Sequence, residues 1–129
     1  MDEILAFIID TVNSNVTLPQ TVESGQLETD NSIAMQLVAP GDEAEFLERT
    51  NIIAASTLIL SKNINQQTAL ANVDNIVNYL TNIRGIYPQP TSNNFQWMTS
   101  VVTTRPTFVE KQDNQYYIYS AIINNKIFQ

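Results

Sequence analysis

Cysteine and histidine are both missing from this chain of 129 residues. Without cysteine there are no disulfides and no thiolate metal sites. Without histidine the commonest general base and the commonest metal ligand are gone. Glycine is scarce: Gly25, Gly41 and Gly85 are the only ones, too dispersed for a loop that cradles phosphates. Charge is thin as well, at 15% of residues where about a quarter is usual. Asn, Gln, Ser and Thr take up the difference. A polar surface with little charge tolerates close packing against other subunits, because less charge must be desolvated, although the same bias follows from AT-rich coding. Long hydrophobic runs are absent too. No segment approaches the roughly 20 apolar residues needed to span a bilayer. Met1-Asp2-Glu3 is acidic where a signal peptide would be basic, and Asp10 interrupts the apolar run behind it. A soluble protein made in the cytoplasm is expected.

Cations are the rarer sign. Six basic residues stand against thirteen acidic ones, for a net charge of -7. Arg49, Lys62, Arg84, Arg105, Lys111 and Lys126 are scattered, and no basic stripe exists to neutralise phosphates. Paired carboxylates occur only at Asp2 and Glu3 and between Asp42 and Glu48, in a spacing that matches no calcium loop. Serines and threonines have no base to activate them. Lys62 and Lys126 flank strands with no sign of a desolvated site. These residues point to no catalytic site, no cofactor and no metal.

What is present is a clear helix between strands. From Asn65 to Arg84, apolar residues fall at Ala69, Leu70, Val73, Ile76, Val77, Leu80 and Ile83, the period of one helix face. Gln67, Ala71, Asp74, Asn75, Asn78 and Asn82 form a polar face. Asn63 or Asn65 can cap its start, Gly85 its end, and Pro88 and Pro90 block continuation. Residues 1–13 read as a shorter amphipathic helix, with Met1, Ile4, Leu5, Ile8, Ile9 and Val12 on one stripe. Phe7 points away from that stripe, either as a partly covered surface aromatic or as a contact with a neighbouring subunit.

The strands follow from alternation. Thr21-Val22-Glu23 is a short edge strand ending at Gly25. Ser32 to Val38 places Ile33, Met35 and Leu37 on one face and Ala34, Gln36 and Val38 on the other, and Pro40-Gly41 stops it. Ile52 to Leu60 is apolar on both faces, as a central strand is. Phe95 to Thr104 alternates Phe95, Trp97, Thr99, Val101 and Thr103 with Gln96, Met98, Ser100, Val102 and Thr104. Pro106 to Val109 follows, then a polar turn from Lys111 to Gln115. A hairpin arm follows from Tyr116, ending either at Ile123 or at Phe128. Its tyrosines fit a half-buried sheet face better than a base-stacking platform, given the shortage of cations. A single domain over residues 1–129 is expected, of α+β (α/β-like) class: a small mixed sheet of about four to six strands packed by two helices. If the strands flanking the central helix are parallel, their crossover should be right-handed.

Three places are candidates for contact with other subunits. The first is Asp42-Glu43-Ala44-Glu45-Phe46-Leu47-Glu48, acids around an apolar pair, read as a hairpin tip or one helical turn. It is either a solvated loop or a loop presenting Phe46 and Leu47 with Asp42, Glu43, Glu45 and Glu48 as rim. Phe7 is the second. The third is the run from Asn124 to Gln129, where Ile127 and Phe128 sit near a free end.

Several segments together resemble the tail terminators of long-tailed bacteriophages, small proteins also described as minor capsid or tail completion proteins. Asp30-Asn31-Ser32-Ile33-Ala34 is similar to a "DNSIAI" strand opening. Asn65 to Leu70 opens a helix of the usual "AL…I…L" type. Thr103 to Val109 resembles a "TTPSLV" segment, with Arg105 inserted before Pro106. Asn114 to Ser120 resembles an "NGWYIYS" strand, without the usual glycine in its turn. The likeness spans roughly Ser24 to Ile123. It implies a sheet packed by two helices and a ring, hexameric in that family, that caps the tail tube and meets the head-side connector protein at the head-tail junction. The implied partners are copies of the chain, the tail tube protein and the connector. DNA would only pass through the lumen, where an acidic lining keeps it from sticking. The implied location is the neck of the virion, and the alternatives are another neck or tail component (a head-tail joining protein or a tube subunit) or a non-viral binding module using the aromatic sheet as a groove.

Overall fold

The run that is apolar on both faces becomes the middle strand of a five-stranded sheet. The computed structural model describes residues 2–28, 30–38, 52–83, 95–112 and 115–128. In chain order the elements are α1 (Asp2–Asn15), β1 (Val22–Ser24), β2 (Ser32–Val38), β3 (Ile52–Asn63), α2 (Gln66–Thr81), β4 (Gln96–Lys111) and β5 (Tyr117–Phe128). The strands are ordered β1-β2-β3-β5-β4. β1 runs parallel to β2, and the other three pairings are antiparallel. β3 and β4, which flank α2, therefore run the same way with β5 between them. The protein has a small α+β fold, a mixed sheet with two helices.

Alternation along the strands sends one set of residues under both helices. Ile33 and Met35 of β2 lie opposite Ser61 and Ile59 of β3. Ala55, Thr57 and Ile59 lie opposite Asn125, Ile123 and Ala121 of β5. All of these are buried, and the apolar ones join Ile4, Ile8, Val12, Ala69, Val73, Ile76 and Leu80 of the helices in one core. Full burial of each such aliphatic side chain contributes about 1.5–3 kcal/mol. The opposite sheet face carries Leu58, Leu60 and Ile122 half-buried, and no described helix covers it.

α2 is shorter than its pattern predicts. Asn65 caps it, its side chain accepting from the Thr68 N–H at 3.0 Å, while Asn63 Oδ1 accepts from the Asn65 N–H at 2.9 Å. The helix ends at Thr81, where the Asn82 N–H turns back to the Tyr79 carbonyl at 3.4 Å. Ile83 lies past the end, while Arg84 and Gly85 fall outside the described residues. Leu70, expected on the apolar face, is 40% exposed. Asn72 is buried in its place and donates to Ser61 Oγ at 3.4 Å. The stripe is narrower than the apolar residues suggest because it must fit over β3 and its neighbours.

β4 differs most from expectation. It runs 16 residues, from Gln96 through Pro106 to Lys111, as one strand. Pro106 was expected to separate two segments, yet on an edge strand its missing N–H leaves no ladder bond unmade. Register shifts fall at Trp97/Thr99, Val102/Thr104, Thr104/Thr107 and Phe108/Glu110. The first reverses the expected facing: Trp97, Ser100 and Val102 share the helix side, and Thr99 and Val101 turn outward. A bulge adds a residue that a strict period of two cannot anticipate.

The β4–β5 hairpin turn closes with the Gln112 N–H donating to Tyr116 O at 2.8 Å and the Gln115 N–H to Gln112 O at 2.9 Å. Gln115 sits at φ +77°, in the left-handed region. A side chain there costs about 1 kcal/mol. Gln115→Gly is therefore expected to raise stability by about 1 kcal/mol, or a few degrees in Tm, with an unchanged far-ultraviolet spectrum. A lower Tm would contradict the strain.

Candidate interaction surface

The two ends of the sheet differ in finish. At the β1 end, the Asn13 side chain of α1 acts as a substitute strand. Its Oδ1 accepts from the Val22 N–H at 2.9 Å, and its Nδ2 donates to the Val22 carbonyl at 3.2 Å. Gly25, at φ +101°, donates its N–H to Met35 O at 3.0 Å and turns the chain away. The loop that follows exposes Glu28 and Asp30, and Glu23 is exposed on β1 itself. A recess of about 200 Å³ opens here, lined by Gln20, Thr21, Glu23, Glu28, Asn31 and Ser32. The Gln20 Oε1 atom is buried there without a hydrogen-bond partner.

Lys62 lies behind this end. Expected as an ordinary strand-flanking lysine, it is instead 5% exposed. Its ammonium donates to the Glu28 carbonyl at 3.0 Å and sits 4.9 Å from the Tyr116 ring centroid. Tyr116 in turn donates to Asp30 Oδ1 at 3.4 Å. The cation ties the loop and the hairpin turn to the sheet. Its burial arises from three strands meeting, which spacing within one strand does not reveal.

At the β4 end nothing substitutes for a neighbouring strand among the described residues. Arg105, Val109 and Glu110 are exposed, and Phe108 is 48% exposed while touching Tyr119 edge-on at 5.5 Å. Lys111 lies 5.2 Å from the Tyr117 ring centroid. Burial at the end of α2 pushes the Tyr79 phenol above its usual pKa.

Inside the sheet, Asn125 organises a polar cluster. Its Nδ2 donates to Ala55 O at 3.0 Å and Thr57 Oγ1 at 2.8 Å, and its Oδ1 accepts from Ser100 Oγ at 2.5 Å. Ser100 Oγ accepts from Trp97 Nε1 at 3.1 Å. All four side chains are buried. Alternation along β5 places Asn125 among Ala121, Ile123 and Ile127, so the cluster was detectable as one polar residue on an apolar face.

The sequence candidates land unevenly. Phe7 is half-buried and packs edge-on against Phe95 at 5.8 Å and Trp97 at 6.2 Å, so much of its ring is covered within the chain. Ile127 is fully buried under the helices, on the inward-facing side of β5 within this chain. Phe128 is 42% exposed. Asp42, Glu43, Glu45, Phe46, Leu47 and Glu48 lie outside the described residues. Among the described residues, no group of three acids gathers as a metal site, and no helix is long and apolar enough to cross a membrane. No protein-family model matches the chain, and no curated protein matches it.

Proposed function

We propose that this chain is a structural protein of a tailed phage virion, non-catalytic, that closes the head-side end of the tail tube as a hexameric ring at the head-tail junction. It is made in the host cytoplasm and resides in the neck, between the tube protein and the connector, with DNA passing through the lumen. The observation that supports this reading is a small mixed sheet packed by two helices around one core, the layout that the resemblance implies. That layout leaves the other face and the β4 edge for contacts. The charge balance supports it too, since -7 on a chain with few cations suits a lumen that must not hold DNA. The test combines solution mass with binding to preformed tail tubes. A ring that caps tube ends and halts their growth supports the role; a strictly monomeric protein that ignores tube ends overturns it.

A further inference from the structure

The two sheet ends are complementary in charge and matched in height. Among the described residues, Arg105 and Lys111 lie on β4 and Lys126 on the adjoining β5, with Glu110 as the only acid on these two strands. The β1 end exposes Glu23, Glu28 and Asp30 and has only the buried Lys62 as counter-charge. The remaining described acids with placed side chains, Asp10 and Asp74, are on the helices. Pairing carries Glu23 across the sheet through Ala34, Leu60 and Ser120 to Thr107, two residues from Arg105. A second molecule set beside the first along the sheet would bring its Glu23 level with this part of β4. The recess next to Glu23 and Glu28 has their exposed carboxylates at its rim, acceptors that a guanidinium could bind.

We infer that copies of this chain associate head to tail, with the basic β4 edge of one against the acidic β1 end of the next, and Arg105 seated in the recess beside Glu23 and Glu28. This rests on the ring reading and names its subunit contact. The contact is heterologous, because each copy carries both halves at opposite ends, and such contacts close into rings when the rotation allows. Pairing β4 with β4 about a two-fold axis near Phe108 would instead set Arg105 of each copy against Lys111 of the other, like charge on like, and the bulges and Pro106 interrupt a long shared ladder. The β1 end is closed to strand addition by Asn13, so side-chain charge carries the contact there.

Two variants test it by light scattering and sedimentation: R105E/K111E, which reverses the β4 edge, and E23K/E28K, which reverses the β1 end. Each alone should assemble on the order of a hundredfold more weakly than the unaltered chain. Mixing the two should restore assembly, because every junction then again joins opposite charges, and so should one chain carrying all four changes. Circular dichroism and Tm confirm that each variant folds; if one does not, the neutral pair R105Q/K111Q or E23Q/E28Q replaces it, with about tenfold weakening expected. Assembly unaffected by either reversal, or folded variants whose mixture stays monomeric, would overturn the head-to-tail contact and leave the ring reading standing. An unaltered chain that is monomeric at every concentration and salt, and stays so when tail tubes are added, would overturn both.

Discussion

Trp97→Ala should destabilise the fold by about 4 kcal/mol, the largest loss from any single truncation in this chain. The indole is 1% exposed, donates to Ser100 Oγ at 3.1 Å and meets Phe7 edge-on at 6.2 Å. Its removal leaves a cavity in the core beside the Phe7 ring. It also takes a donor from the polar cluster. Against a typical net stability of about 5–15 kcal/mol, this change would leave the protein marginal. Trp97→Phe keeps most of the volume and should cost about 2 kcal/mol, chiefly the lost hydrogen bond. Urea unfolding by circular dichroism measures both. Equal midpoints for the Ala and Phe variants would show that packing around the ring contributes little.

Asn125→Leu should cost about 3 kcal/mol despite its near-equal size. The loss comes from the partners: the Ala55 carbonyl and Thr57 hydroxyl lose a donor, and the Ser100 hydroxyl an acceptor, at a site with no solvent contact. Asn125→Asp is the sharper probe. It replaces a donor with a charge in a site where, among the described residues, its hydrogen-bond partners are all uncharged, so burial raises the folded-state pKa of the new carboxyl. A raised folded pKa means the protonated form is the one the fold accepts. The Asp variant should therefore lie nearest the parent below the unfolded carboxyl pKa of about 3.9 and fall away as pH rises above it. Its gap to the parent in urea midpoint, compared at matched pH, should be wider at pH 7 than at pH 4. A gap independent of pH would mean that the carboxylate reaches water. Because Trp97 and Asn125 share Ser100, their effects should not add.

The local parts of this fold were legible where one chemical rule operated alone. β2 spans Ser32–Val38 as its alternation requires, with the proline and glycine behind it. The core face of α2 follows the helical period at Val73, Ile76, Val77 and Leu80. Legibility failed where two rules competed. Pro106 is a stop in a central strand but permissible at an edge, and the edge position of β4 depends on β5 inserting between β3 and β4. The bulge after Trp97 moved Ser100 and Val102 inward, which no strict alternation allows. Lys62 is buried by residues far along the chain, Glu28 and Tyr116. The interaction surface was only half visible for the same reason. Of Ile127 and Phe128, named together as contact candidates, Phe128 is 42% exposed and Ile127 points into the core. The opposition of Arg105 to Glu23 across the sheet depends on strand order, which charge counting cannot supply.

The decisive measurement is the mass of the unaltered protein by light scattering coupled to size exclusion, across concentration and salt. A subunit ring of the resembled kind predicts a discrete species near 87 kDa, about six times the 14.5 kDa chain. High salt should weaken it, as expected for a contact carried by exposed charges. A single species at the monomer mass under all conditions, with no gain on adding tail tubes, would contradict the ring.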